Sequence, residues 1–249
     1  MERVNIDVDA VKLSFLKGKD VDVVYIHGSG CDASLWENQL KEIGGYAVDL
    51  PNHGMSCAAE INSIDDYAYF VAKAVKKMLG RAVVVGHSLG GAIAQKIYLD
   101  YPKVVKALVL VGTGVRLRVL PDILQGLKEK PAETAEMVSK FSFASDRFVD
   151  KYSKIFAERA NILRKDLLLC DKFDLLERYK AGEIEIKVPT LIIVGEKDRL
   201  TPVKYSEFMK NHIPDSELVV IPDAGHMVML EKVEEFNRAL GNFLKKLSP

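Results

Sequence analysis

A serine framed by glycines, Gly86-His87-Ser88-Leu89-Gly90, directly follows the apolar run 82–85. Such a run reads as a buried strand. A serine pushed out of a strand end must sit in a tight, positive-φ turn, with no room for side chains two residues before or after it. Its hydroxyl is a weak nucleophile at neutral pH, so it needs a histidine to take its proton and a carboxylate to orient that histidine. Five histidines are present, so elimination is possible. His27 and His87 lie beside glycines in tight turns, His53 in the Pro51-Asn52-His53-Gly54 loop, and His212 at a helix end. His226 remains, in the short loop Asp223-Ala224-Gly225-His226 between the last strand and the last helix. For the acid, the loop Gly195-Glu196-Lys197-Asp198 follows the apolar run 190–194. Asp198 is preferred and Glu196 is the alternative. The competing reading of Asp198 is a turn or capping role ahead of Pro202. After the run 107–111 stands Gly112-Thr113-Gly114, with no carboxylate to compete.

A tetrahedral intermediate needs two backbone donors. The Leu89 N–H, behind the serine, is expected to be one. The other belongs to the loop His27-Gly28-Ser29-Gly30, where Ser29 N–H is preferred and Gly30 N–H stays open. Gly28 and Gly30 would let the backbone approach substrate, and His27 would brace the loop by hydrogen bonding.

These loops need strand ends to carry them. Runs 4–8 and 11–16 alternate like a hairpin, while 21–26, 82–85, 107–111, 190–194 and 218–221 are dense apolar runs of buried parallel strands. Helical spacing covers 34–43, 64–79, 92–101, 202–211 and 233–247. Strand alternating with helix predicts an α/β fold, with a mostly parallel sheet of about eight strands and helices on both faces. Ligands of such sheets bind beyond the carboxyl ends of the strands. Residues 114–187 break the rhythm, with helical segments expected at 119–127, 132–143, 147–161 and 163–179. They are read as a cap inserted into a core of residues 1–113 and 188–249. Its apolar residues, Leu117, Leu120, Ile123, Phe141, Phe143, Phe148, Phe156, Leu168 and Leu169, are candidates for a pocket roof. Leu117, Phe141, Phe143 and Met227 are the expected substrate-binding side chains, together with the Gly28 and Gly30 backbone.

The chain has 249 residues, 48% of them hydrophobic, which suffices for a large core without disulfide staples. Thirty-five basic residues balance thirty-five acidic ones, so nothing draws the chain to nucleic acid or an anionic membrane. No apolar stretch is long enough to span a bilayer, and residues 1–10 lack the apolar segment of a signal peptide. Cys31, Cys57 and Cys170 are scattered, without metal or redox spacing, and read as reduced residues of a cytoplasmic protein. No metal or organic cofactor is expected, and the expected partner is a small molecule.

Taken together, the chain resembles the α/β-hydrolase superfamily over essentially its whole length. The matching pieces are His27 to Gly30, the loop Asp49-Leu50-Pro51-Asn52-His53-Gly54-Met55-Ser56, Gly86 to Gly91, Gly195 to Pro202 and Gly225-His226. Serine, acid, histidine is that superfamily's order. One departure is Asn52, where many relatives carry glycine. The resemblance implies a serine hydrolase, read here as a carboxylesterase of small to medium esters. Enol-lactone hydrolysis and carbon–carbon hydrolysis of aromatic ring-cleavage products are the alternatives. Carbon–carbon hydrolases commonly place tryptophan after the catalytic histidine, where this chain has Met227. Arg116, Arg118, Lys128 and Lys130 form a solvated face or, alternatively, meet an anionic substrate or a carrier-protein ester. A non-catalytic ligand receptor on the same fold is the reading from another class.

Overall fold

The computed structural model describes residues 1–247. The chain opens with the expected hairpin, β1 (Glu2–Val8) and β2 (Val11–Lys17), with Val8 facing Val11 across a two-residue turn. β3 (Val23–Ile26) follows, then a 3-10 turn (Ala33–Trp36), α1 (Glu37–Glu42) and β4 (Tyr46–Val48). β4 has no counterpart among the expected strands. It is three residues long behind Gly44 and Gly45, too short for an alternating pattern, and is defined by its neighbours, antiparallel β2 and parallel β3.

Next come α2 (Ile64–Met78), β5 (Ala82–His87), α3 (Leu89–Asp100) and β6 (Val105–Val111). Ser63 and Asp66 form a capping box at the start of α2. Between β6 and the next strand lie five helices: α4 (Pro121–Glu129), α5 (Pro131–Ser142), α6 (Val149–Glu158), α7 (Ala160–Lys172) and α8 (Leu176–Lys180). The single helix expected at 163–179 is therefore two. At Phe173 to Leu175 the backbone turns to pair with the chain entering the cap: Leu117 N–H donates to Phe173 O and Leu175 N–H to Val115 O. Asp174 Oδ1 then accepts from Leu176 N–H at 3.0 Å and starts α8. Neither glycine nor proline marks this break, so the sequence carries no local sign of it.

The chain ends with β7 (Thr190–Gly195), α9 (Val203–His212), β8 (Ser216–Ile221), α10 (Val228–Glu231) and α11 (Val233–Leu247). The eight strands are ordered β1-β2-β4-β3-β5-β6-β7-β8 and are parallel from β4 onward. Strand side chains alternate between two cores. Val24, Ile26, Val84 and Leu108 pack with α2 and α3, whereas Tyr25, Val83, Val85 and Val109 pack with Trp36 and α11. From β3 the chain moves outward to β4 and then back past β3 to β5. The carboxyl ends of β3 and β5 therefore sit at the switch point where such sheets bind ligands. No helix among the described residues is long and apolar enough to cross a membrane.

Candidate active site

Ser88 lies between β5 and α3 with φ 54°, the strained conformation expected of the turn. The glycines serve it differently from the simple expectation of a clash at the serine. A Cβ on Gly86 would stand 2.1 Å from Gly90 O across the turn, and one on Gly90 would stand 2.3 Å from Ile26 O at the end of β3. Gly86 thus lets the turn close, while Gly90 lets α3 press against the neighbouring strand. The Ser88 amide donates to Val111 O at 2.9 Å, and its carbonyl accepts from Thr113 Oγ1 at 2.8 Å, so β6 holds the turn from the side.

His226 is buried, and its Nδ1 lies 2.9 Å from Asp198 Oδ2. Asp198 also makes the turn expected of an aspartate before Pro202: Oδ1 accepts from the Leu200 and Thr201 amides at 2.9 and 2.8 Å. The two readings of Asp198 therefore coexist, one on each oxygen. Thr201 Oγ1 donates to Oδ2 at 2.9 Å. Burial opposes charge on Asp198, but His226 and Thr201 outweigh it and hold the carboxyl below the usual carboxylate range. Glu196 is exposed and instead accepts from Asp223 N–H at 3.2 Å, away from His226.

Ser88 and His226 open into one cleft whose walls come largely from the cap and from the loop after β7. Leu117, Ile123, Val138, Phe141, Leu167 and Leu200 supply its apolar surface, and Arg118, Arg199 and Tyr205 also line it. Leu117 and Phe141, two of the expected substrate-binding side chains, are thus part of the cleft lining. Gly28 and Met227 line a smaller cavity beside Ser88, together with Ser29 and Phe156. Phe143 is not brought to either space. It is 1% exposed and packs against Phe148 and Tyr152, because the chain turns inward after α5. Gly30 also lines neither: its N–H donates to Asp166 Oδ2 at 2.9 Å, so of the two candidate donors, Ser29 N–H and Gly30 N–H, Ser29 N–H has no acceptor among the described residues. Arg116 and Arg118 pair with Asp174.

Three of the other histidines, His27, His53 and His87, support these loops, while His212 ends α9 with its ring stacked on Phe208. His27 Nδ1 donates to Gly28 O at 2.9 Å and Nε2 accepts from Leu50 N–H at 3.1 Å, so it braces the loop as expected. Burial, with His53 nearby, pushes its pKa down to about 4, consistent with a neutral ring. His87 Nε2 donates to His226 O at 3.0 Å, and its ring leaves no room for a side chain on Gly28. Asn52 adopts φ 69°, a left-handed conformation that asparagine tolerates.

A buried cluster that sequence reasoning missed joins the cap to this loop. Asp166 of α7, fully buried, accepts from Gly30 N–H, His53 Nε2 and Tyr67 Oη, each at 2.9 Å. His53 Nδ1 faces Pro51 O at 2.9 Å, so both ring nitrogens point at acceptors and the ring is held as an imidazolium. Burial and Arg159 lower the His53 pKa, but Asp166 and Pro51 O outweigh them, so it is raised above the ordinary 6.5. The stability this adds is complete below the unfolded value and is lost as pH rises through the raised folded value. The melting temperature of His53→Gln is therefore expected to fall below that of the unaltered chain by several degrees near pH 6, with the gap narrowing toward about pH 9. A gap that stays constant over that range would exclude the ion pair.

A model of the Alpha/beta hydrolase family matches residues 23–239. A thermophilic esterase of known structure superposes with a TM-score of 0.97 at 59% identity, over 99% of this chain and 98% of that one. The chain is 30% identical to a 2-hydroxy-6-oxononadienedioate/2-hydroxy-6-oxononatrienedioate hydrolase of a Pseudomonas species, over 91% of this chain and 89% of that protein. It is 26% identical to a pimeloyl-[acyl-carrier protein] methyl ester esterase of Nitrosomonas europaea, over 88% of this chain and 94% of that protein.

Proposed function

The chain belongs to the alpha/beta hydrolase family and is a hydrolase, and from that premise we propose that it cleaves small to medium carboxylic esters through an acyl-serine intermediate. The observation that carries this reading is the cleft in which Ser88 and the Asp198-paired His226 face an apolar wall. Ser88 Oγ attacks the ester carbonyl. His226 Nδ1 is occupied by Asp198, so Nε2 takes the serine proton and returns it to the departing alcohol. The Leu89 and Ser29 amides stabilise the oxyanion. Water, deprotonated by His226, then attacks the acyl carbon and releases Ser88 and the acid. Asp198 stays ionised throughout and stabilises the imidazolium formed at each step.

The esterase at 59% identity supports an ester as the scissile group. The dienedioate hydrolase at 30% identity supports carbon–carbon hydrolysis as the second reading. Against it stand Met227 after His226 and the burial of the sole tryptophan, Trp36, in the core between Tyr25 and Phe236. A panel of p-nitrophenyl esters of increasing acyl length, a γ-lactone and a ring-cleavage dienone separates the readings. Esters of short to medium acyl length are expected to give the highest kcat/KM. A preference by orders of magnitude for the lactone or the dienone would replace the esterase reading, and failure to react with a fluorophosphonate would favour a receptor.

A further inference from the structure

An oxyanion donor works only if its direction is set before the reaction, because reorienting it during the reaction would cost part of the stabilisation it provides. The loop Gly28-Ser29-Gly30 is poorly suited to set its own direction, since two of its three residues are glycines. Its base is tied to the core: Gly28 O accepts from His27 Nδ1 at 2.9 Å and from Cys31 N–H at 3.2 Å. Its tip is tied to the cap. Gly30 N–H donates to Asp166 at 2.9 Å, Gly30 O accepts from Arg159 at 3.4 Å, and Ser29 Oγ lies 3.6 Å from Cys170 Sγ. A Cβ on Gly30, whose φ is +68°, would stand 3.1 Å from Leu163. Arg159 also donates to Asp32 Oδ2 at 2.7 Å, just past the loop.

Arg159, Leu163, Asp166 and Cys170 are spaced four, three and four residues apart, a single stripe along α7 and the residue that opens it. We propose that this stripe of the cap sets the direction of the Ser29 amide, with Asp166 as its positioning residue. The inference rests on the serine-hydrolase reading above. Asp166 suits the task because three donors from three segments fix its own carboxylate: Gly30 after β3, His53 after β4 and Tyr67 in α2. With every donor aimed at it, the carboxylate has no low-energy alternative orientation, and the Gly30 amide is fixed with it. The cap is thus part of the apparatus that stabilises the transition state, besides forming the pocket roof.

Asp166→Leu, of similar size, removes both acceptor oxygens, so the Gly30 N–H at the loop tip loses its anchor while substrate-lining residues stay in place. On a p-nitrophenyl ester, kcat is expected to fall about 10- to 100-fold with KM within about 2-fold, approaching the loss of one oxyanion donor. A trifluoromethyl ketone that forms a tetrahedral adduct on serine is expected to bind more weakly by a similar factor. An unchanged kcat, or a loss of activity that follows only the folded fraction seen by circular dichroism, overturns the proposal. If Asp166→Leu does not fold, Tyr67→Phe removes one donor from the same carboxylate and is expected to lower kcat about 3-fold without moving KM; no change there overturns the proposal as well. Ser88→Ala is assayed alongside. Activity retained in that variant would overturn the serine reading itself, whereas an inactive Ser88→Ala beside a fully active Asp166→Leu overturns this inference alone.

Discussion

Ser88→Ala is expected to lower ester turnover by about 10⁴-fold or more while leaving the melting temperature within about 2 °C of the unaltered chain. The two halves of this expectation have separate physical grounds. Ser88 is held by its backbone, through Val111 O and Thr113 Oγ1, and its Oγ makes no hydrogen bond among the described residues, so folding loses nothing with it. Alanine keeps a Cβ, so the strain at φ 54° is unchanged. Catalysis, by contrast, loses the only atom that can form the acyl intermediate. The residual rate comes from water activated by His226 under the same oxyanion donors, which alone are worth about 10³-fold over uncatalysed hydrolysis. Phosphonylation by a fluorophosphonate should vanish in step with turnover. A folded Ser88→Ala variant that keeps wild-type rates would remove the serine from the mechanism.

How much of this site is legible in the sequence depends on how locally each part is specified. The serine turn is specified within five residues, because Gly86 and Gly90 are needed by backbone atoms that crowd them, and so it can be read directly. Asp198 and His226 are legible by elimination among few candidates at strand ends, and the structure brings them to 2.9 Å. β4 was not legible, because its three residues owe their conformation to β2 and β3 on either side. The same holds for the break between α7 and α8, which is set by pairing with residues 115 to 117.

Asp166 was least legible of all. An aspartate between Lys165 and Leu167 in a helical run reads as a solvated position, and nothing nearby says that three donors from distant segments converge on it. Its spacing from Leu163 and Cys170 was the one available signal, since those apolar positions mark the inward face of the helix. Phe143 failed in the opposite sense. It is apolar and lies in the cap, but a chain reversal after Ser142 turns it into an aromatic cluster instead of the cleft.

The second large effect is expected at Asp198. Its Oδ1 accepts two backbone amides, from Leu200 and Thr201, so in Asp198→Asn the amide oxygen keeps that position and the NH2 must replace Oδ2 beside His226 Nδ1. An NH2 there donates to Nδ1 and forces the ring proton onto Nε2. That is the wrong tautomer, since Nε2 must be unprotonated to take the serine proton. The Thr201 hydroxyl, 3.2 Å from Nδ1, reinforces this tautomer, because with an NH2 in place of Oδ2 its proton turns from the lost carboxylate oxygen toward Nδ1. kcat is therefore expected to fall about 10³- to 10⁴-fold with KM little changed, measured under saturating p-nitrophenyl ester. Glu196→Gln, two residues earlier on the exposed side of the same loop, is expected to stay within about 2-fold, the usual range for a surface change remote from the chemistry. A reversal of these two results would move the orienting carboxylate from Asp198 to Glu196 and require the loop after β7 to adopt a different conformation when substrate binds.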